Sequence, residues 1–409
     1  MFSRLFVRKG LWRNHNFLKL WSGSTISLFG SQVTFLALPF TAALLLHANA
    51  IQMGILSAAN TVPFLLVSLF AGVWIDRMRR RPLLILADVG RALLLSSVPL
   101  VAYLGMLHII YLYVVAFLVG LLNVFFDVAY GAFLPSLLER NELVEANSKL
   151  QISTSFAEFA GPSVAGVLVQ LLTAPLALLV DALSFLVSAL LLVSLRTKES
   201  VRETKLTAGS FWNELIVGLR FTFGHPLLRS LACSSGTLNF TGGVFDAILV
   251  LYITQVLHLG AIYFGVMYTV GSLSGIGAAL VSPRMVQHIG TSRVTIISAL
   301  LIAIGWLLIP LAHGFVPFVL VLLLPGMLLA GAGNTLYNIT AQTLVQTTTP
   351  ESLLGRVISS QTCIGLGTLP LGALLGGILA NLFGIRMVLL GACLVRFGLL
   401  ALFLLPLYL

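Results

Sequence analysis

Runs of about twenty apolar residues recur along the whole chain, and each is long enough to cross the hydrocarbon core of a bilayer. The approximate spans are 17–44, 51–75, 83–105, 109–134, 151–172, 174–195, 230–256, 261–282, 294–312, 315–340, 357–382 and 386–408, twelve in all. Of the 409 residues, 58% are hydrophobic and only 9% are charged. A soluble domain carries about 25% charged residues, and no water-soluble fold hides this much apolar side chain. The expectation is one all-α integral membrane unit without a separate soluble domain. Closed β-barrels also cross membranes, but they need short alternating strands, and these runs are long and continuously apolar.

The net charge is +10. The basic residues sit in short loops between apolar runs, not on one soluble face, so a lipid bilayer explains them and a nucleic-acid partner does not. With the N-terminus in the cytoplasm, 20 of the 23 Lys and Arg residues fall on the inner side. Only Arg386 falls outside, while Arg91 and Arg396 lie within spans. This places both termini in the cytoplasm. The first 19 residues hold Arg4, Arg8, Lys9, Arg13 and Lys19 and no acid, and the run that follows reads as an uncleaved first span. Cys233, Cys363 and Cys393 all lie in apolar runs with no CxxC pair, which reads as reduced, buried thiols with no metal.

The longest polar stretch, 196–229, divides six spans from six. The expected organisation is therefore an N-terminal bundle over 1–195, a central cytoplasmic loop over 196–229 and a C-terminal bundle over 230–409. Within the loop, Phe211–Phe223 has helical apolar spacing and is expected to lie on the membrane surface. The halves echo each other. Asn141–Gln151 after span four matches Pro350–Gln361 after span ten in position, and each leads into a Gly/Pro-bearing helix. Such a six-plus-six repeat is typical of transporters that rock two bundles about a central site.

After span two comes Gly72-Val-Trp-Ile-Asp76-Arg77-Met-Arg79-Arg80-Arg81. At its simplest this is a positive-inside anchor. A sharper reading is an acid–base lock, with Asp76 facing a helix N-terminus in the other half and the arginines holding nearby acids. The stretch resembles the signature loop of the major facilitator superfamily, Gly-x-x-x-Asp-Arg-x-Gly-Arg-Arg, with Arg79 in place of the usual glycine. The resemblance extends over essentially the whole chain. The segments Phe125–Pro135, Glu142–Ser148 and Asp181–Phe185 look like the drug:proton antiporter-3 branch, which contains macrolide-efflux proteins and the enterobactin exporter. That resemblance implies proton-driven export of a small organic molecule from a cell inner (plasma) membrane. Gly161-Pro162-Ser-Val-Ala-Gly166 resembles the antiporter motif Gly-Pro-x-x-Gly-Gly, with Ala165 replacing one glycine. Ordinary close packing of a membrane helix is the competing reading.

Charged residues inside a span are costly, about 2.5–3.5 kcal/mol at the bilayer centre, and usually pair, face water or carry protons. Asp88 and Arg91, three apart on span three, share a face and read as a structural ion pair. Glu158, one turn before Gly161-Pro162, and Asp246, beside Gly242 and Gly243, are the leading proton-coupling candidates, and Asp246 is also a substrate candidate. Asp127 reads first as a partner of the arginine lock, and Asp181 as a packing residue. Both also stay among the proton candidates. Asn123 and Asn239 are substrate-binding candidates against a background of ordinary interhelical hydrogen bonds. Arg396 has no evident partner, because span twelve is usually peripheral in this fold.

No GxxxxGK[ST], HExxH or GxSxG motif is present, so neither ATP coupling nor hydrolysis is supported, and no cofactor is expected. The expected activity is secondary active transport by a monomer, with a small-molecule substrate and protons as its partners. A nutrient importer or a transport-dead sensor on the same fold remain the alternatives.

Overall fold

A computed structural model of the chain describes residues 11, 14–75, 78–138, 142–195 and 208–404. These residues are helical almost throughout. The N-terminal half contains α1 (His15–Phe40), α2 (Ala50–Ile75), α3 (Arg80–Tyr103), α4 (Ile109–Leu137), α5 (Leu143–Leu172) and α6 (Ala174–Val193). A shorter helix, α7 (Ala208–Gly224), follows. The C-terminal half contains α8 (Pro226–Leu251), α9 (Ala261–Ile289), α10 (Thr291–Leu311), α11 (Val316–Thr348), α12 (Glu351–Phe383) and α13 (Ile385–Leu404). Twelve of the helices are long and apolar enough to span a membrane, and α7 is the exception. Helices satisfy every backbone polar group within the segment, which hydrocarbon demands.

Several helices run past the apolar stretches that announce them. The helix expected over 151–172 begins at Leu143, and its added turns carry the exposed pair Lys149–Glu145 at 3.2 Å. α11 continues to Thr348 and α12 begins at Glu351, so both extend by polar turns past the apolar runs expected at 315–340 and 357–382. The surface segment expected at Phe211–Phe223 is α7. It rests on α12, where Gly218 lies so close to the Arg356 carbonyl that a Cβ would collide with it. Residues 196–205 of the central stretch lie outside the described residues.

Consecutive spans alternate in direction, giving the bundle two faces. The basic face carries Arg79, Arg80, Arg81, Arg284 and Arg293. The opposite, turn face carries the connections after α1 and α8. These two connections have the same build. α1 ends in a π-helical turn at Thr41–Leu45 and α8 in one at Tyr252–Val256, and each leads to a left-handed histidine, His47 (φ 50°) and His258 (φ 53°). Each pair is 211 positions apart (252 − 41 and 258 − 47).

The same shift relates the two seams where the halves meet. A Cβ on Gly54 of α2 would stand 2.6 Å from the Ala373 carbonyl oxygen of α12, and one on Gly265 of α9 would overlap the Pro162 carbonyl oxygen of α5. A Cβ on Gly377 would meet the Ala50 carbonyl at 2.5 Å, and one on Gly166 the Ala261 carbonyl at 2.6 Å. Glycine 54 pairs with 265 and 166 with 377, again 211 apart, as are the backbone partners 162 and 373, and 50 and 261. The two seams are pseudo-symmetric copies. Each needs a residue without a side chain so that two backbones can touch. Phe40 against Phe264 (5.7 Å) and Phe35 against Tyr268 (5.6 Å) fill the space between α1 and α9. These contacts lie in the part of the bundle nearer the turn face.

Gly265→Val is expected to pry this seam apart. In a background with the three native cysteines replaced, a cysteine introduced at Ser163 should react faster with a membrane-impermeant thiol reagent in the Gly265→Val protein than without it. An unchanged labelling rate would contradict the seal.

Candidate functional site

At the basic face, the arginines after α2 hold helix ends. Arg80 Nη1 donates to the Ala132 carbonyl (2.9 Å). Arg81 donates from Nε to Leu192 (2.9 Å) and from Nη2 to Val193 (2.6 Å), the last carbonyls of α6. A cation there complements the negative end of a helix dipole. Gly72 is in the last turns of α2, and Asp76 and Arg77 lie outside the described residues.

Deeper in the N-terminal half, Arg91 is the centre of a charge cluster. It is 4% exposed and donates from Nη2 to Asp88, which is fully buried. Its Nη1 donates to Asn123 Oδ1 of α4 at 2.8 Å. The guanidinium lies between the rings of Phe126 (4.3 Å) and Phe185 (4.0 Å), an arrangement that favours a cation. Asp127 and Asp181 both lie within electrostatic range of it. Asp181 is itself buried on α6, where it accepts from Thr34 Oγ1 (2.5 Å) of α1 and from Ser184 Oγ (2.9 Å).

Asp181 and Asn123 border a cavity of about 200 Å³ that also reaches Thr34, Ser57, Asn60 and Asp246. Asp246 comes from α8 in the other half, so this space is built by both bundles. Its side chain is exposed to the cavity, whereas Asp181 borders it as a buried group and Asp88 is fully buried.

A larger cavity, about 410 Å³, lies between α5 and the C-terminal helices. Glu158 and Ser155 form its N-terminal-half wall, and Tyr268, Trp306, Asn334 and Arg396 lie on the other wall. It extends along α9 from Tyr268 past Ser272, whose hydroxyl donates to the Glu158 carbonyl at 2.8 Å, to Ala279. The space therefore lengthens away from the seams, towards the basic face. Glu158 is an exposed carboxylate here. Pro162 and Gly166, farther along α5, belong to the seam with α9, whereas Gly161 packs on Gln32 of α1.

Arg396, which had no evident partner in the sequence, has one in the fold. It is 1% exposed, and its Nε donates to Thr241 Oγ1 of α8 at 2.8 Å. Its guanidinium lies 5.6 Å from the Phe245 ring and 5.5 Å from Trp306. Asn239 is elsewhere. Its Nδ2 donates to the Ser235 carbonyl (2.9 Å), and it borders a cavity of about 380 Å³ formed by α8, α11 and α12. Among the described residues no cluster of His, Cys, Asp and Glu is arranged to hold a metal, and the three cysteines are free thiols.

Residues 20–364 match the Major Facilitator Superfamily. The chain belongs to that superfamily. As a facilitator-superfamily protein it is a multi-pass membrane transporter. It is 29% identical to the multidrug efflux pump Tap of Mycolicibacterium fortuitum over 87% of each chain. It is 26% identical to the staphyloferrin A transporter of Staphylococcus aureus over 83% of each. Among solved structures, a bacterial homologue of the iron transporter ferroportin in its inward-facing state superimposes with a TM-score of 0.76 at 18% identity, covering 96% of this chain and 99% of that one. The outward-facing state of the homologue gives 0.61, also at 18% identity, over 96% and 98%.

In this transporter, Thr34, Ser184 and Thr241 are the polar partners that sequence reasoning missed. Hydroxyls are common in membrane helices, and only their distance from a buried charge sets them apart. Gly30 carried no signal either, although a Cβ there would collide with Ser184 and Asp181.

Replacing Arg91 with leucine would strand Asp88 in the bundle without its cation. Breaking a buried pair in this way costs about 3–5 kcal/mol. Arg91→Leu is expected to lower the thermal unfolding midpoint in detergent well below that of Asn123→Leu, with part of the loss restored in Asp88→Asn/Arg91→Leu. Equal midpoints for the two single variants would contradict the assignment.

Proposed function

We propose that this protein is a proton-driven exporter of small organic molecules, working by alternating access in the cell inner (plasma) membrane as a monomer. The observation that carries the reading is the position of Glu158 and Asp246. Both are exposed carboxylates, one from each half, on cavities that both halves build. A carboxylate that reaches water from within a bundle can exchange a proton, and its change of charge alters the balance between two packings of the halves.

The distribution of Lys and Arg supports a cytoplasmic basic face. The arrangement described above is then the inward-open one, with the seams at Gly54–Gly377 and Gly166–Gly265 sealing the outer end. The better superposition on the inward-facing ferroportin homologue supports this assignment. The names of the relatives support efflux and a siderophore- or drug-like cargo. In this cycle cargo enters the 410 Å³ cavity from the basic face while Glu158 is ionised. The glycine seams then part and the basic face closes. A proton from outside neutralises Glu158 or Asp246, cargo leaves, and the protonated form returns. Asp127 and Asp181 stand closer to Arg91, which suits them to holding that helix cluster in register.

Accumulation of labelled macrolides, siderophores and other drugs in cells lacking their own pumps tests the proposal. Expression should lower accumulation of at least one compound, and a protonophore should abolish the difference. Glu158→Gln and Asp246→Asn should each bring accumulation back towards that of cells without the protein. Export that persists with the proton gradient collapsed would sink the proton-driven reading.

A further inference from the structure

The 410 Å³ cavity carries opposite charges on opposite walls. Arg396 lies on the wall built by the C-terminal half, and Glu158 on the wall built by the N-terminal half. Arg396 is only partly satisfied. Its Nε is bound to Thr241, its Nη1 has no hydrogen-bond partner, and among the described residues it forms no ion pair. Asp246 is near enough to feel its charge without lying within ion-pair distance, and it borders the smaller cavity instead. A guanidinium that is 1% exposed and held against Phe245 and Trp306 costs free energy that its own neighbours recover only in part. Glu158 has its backbone carbonyl tied to Ser272, while its carboxylate is exposed to the space. The same cavity is lined by Tyr268, Trp306 and Met327, an apolar and aromatic surface, with Asn334 and Thr335 as neutral polar groups.

We infer that this cavity is a binding site for zwitterionic organic molecules, whose anionic group is taken by Arg396, whose cationic group is taken by Glu158, and whose apolar body lies on Tyr268 and Trp306. A carboxylate or similar oxyanion matches the guanidinium that lines the cavity and compensates a charge its own neighbours leave partly unpaired. A cationic group competes with the proton for Glu158, so binding of cargo and binding of the proton exclude each other at one atom. The inference deepens the export reading by naming a cargo class, and it rests on that reading only for the word cargo. A zwitterion also bridges the two halves, so its release can follow their separation.

Binding to the purified full-length protein in detergent, measured by equilibrium dialysis without any gradient, tests this. The probes are ω-amino carboxylates of graded chain length, each compared with the carboxylate and the ammonium compound of equal length. At one length the zwitterion should bind about ten- to a hundredfold more tightly than either singly charged analogue, the span expected of a charged hydrogen bond. Arg396→Gln should erase the advantage of the carboxylate end and keep ammonium binding. Glu158→Gln should erase the advantage of the ammonium end and keep carboxylate binding. The retained half of the recognition shows that each variant is folded. Zwitterions that bind no better than singly charged analogues at any length would overturn the inference, as would variants that weaken all probes alike. Zwitterion binding in a protein without protonophore-sensitive export would refute the export reading alone. Protonophore-sensitive export without any zwitterion preference would refute this inference alone.

Discussion

Holding an ionised group inside a bilayer is the physical problem on which this structure turns. Each half buries one arginine, Arg91 at 4% exposure and Arg396 at 1%. The N-terminal half surrounds its arginine with a carboxylate, an asparagine oxygen and two aromatic faces. The C-terminal half gives its own a single hydroxyl and two more distant rings, and leaves part of it turned to a cavity. An incompletely compensated charge is a poor way to stabilise a bundle and a good way to recognise a ligand. On the proposed reading, one arginine holds helices together and the other meets cargo.

The seams constrain how the halves move. Backbone touches backbone at four glycines, and the contacts repeat under a shift of 211 positions. In the proposed cycle, two equivalent seams on either side of a pseudo-axis would let one bundle rock against the other without favouring either edge. Their position nearer the turn face explains why the cavity lengthens towards the basic face. Within the segment compared with an antiporter motif on sequence grounds, Pro162 and Gly166 lie in a seam, which is close packing of two helix backbones.

Much of this architecture could be read from the sequence, because hydrocarbon imposes a minimum length and tolerates few charges. The spans came from apolar run length, the expectation of six and six from the polar stretch at 196–229, and the rare intramembrane acids were visible by their scarcity. The direction of a side chain was not. Asn123 read as a substrate candidate against a background of interhelical hydrogen bonds, and its oxygen is held by Arg91. Arg396 read as an orphan on a peripheral helix, yet it points inward to Thr241. Uniformly apolar helices give almost no signal for which face is inside, since lipid and protein interior are equally apolar. Gly54 and Gly265 were hidden for a similar reason. With 37 glycines in the chain, only contact with a second backbone distinguishes a seam from ordinary membrane-helix composition.

The account depends above all on exchange between a bundle sealed at the turn face and one sealed at the basic face, driven by protonation between the halves. Distances between paired spin labels measure this directly. One pair belongs on the exposed residues Leu104 and Phe315 at the turn face, and the other on Met78 and Gln287 at the basic face. In the proposed cycle the protonated form returns to the state sealed at the turn face, so acidification should shorten the first distance and lengthen the second in the same protein, and Glu158→Gln/Asp246→Asn should remove the pH dependence of both. Distances that stay fixed across the pH range, or that change in the same direction at both faces, would contradict it.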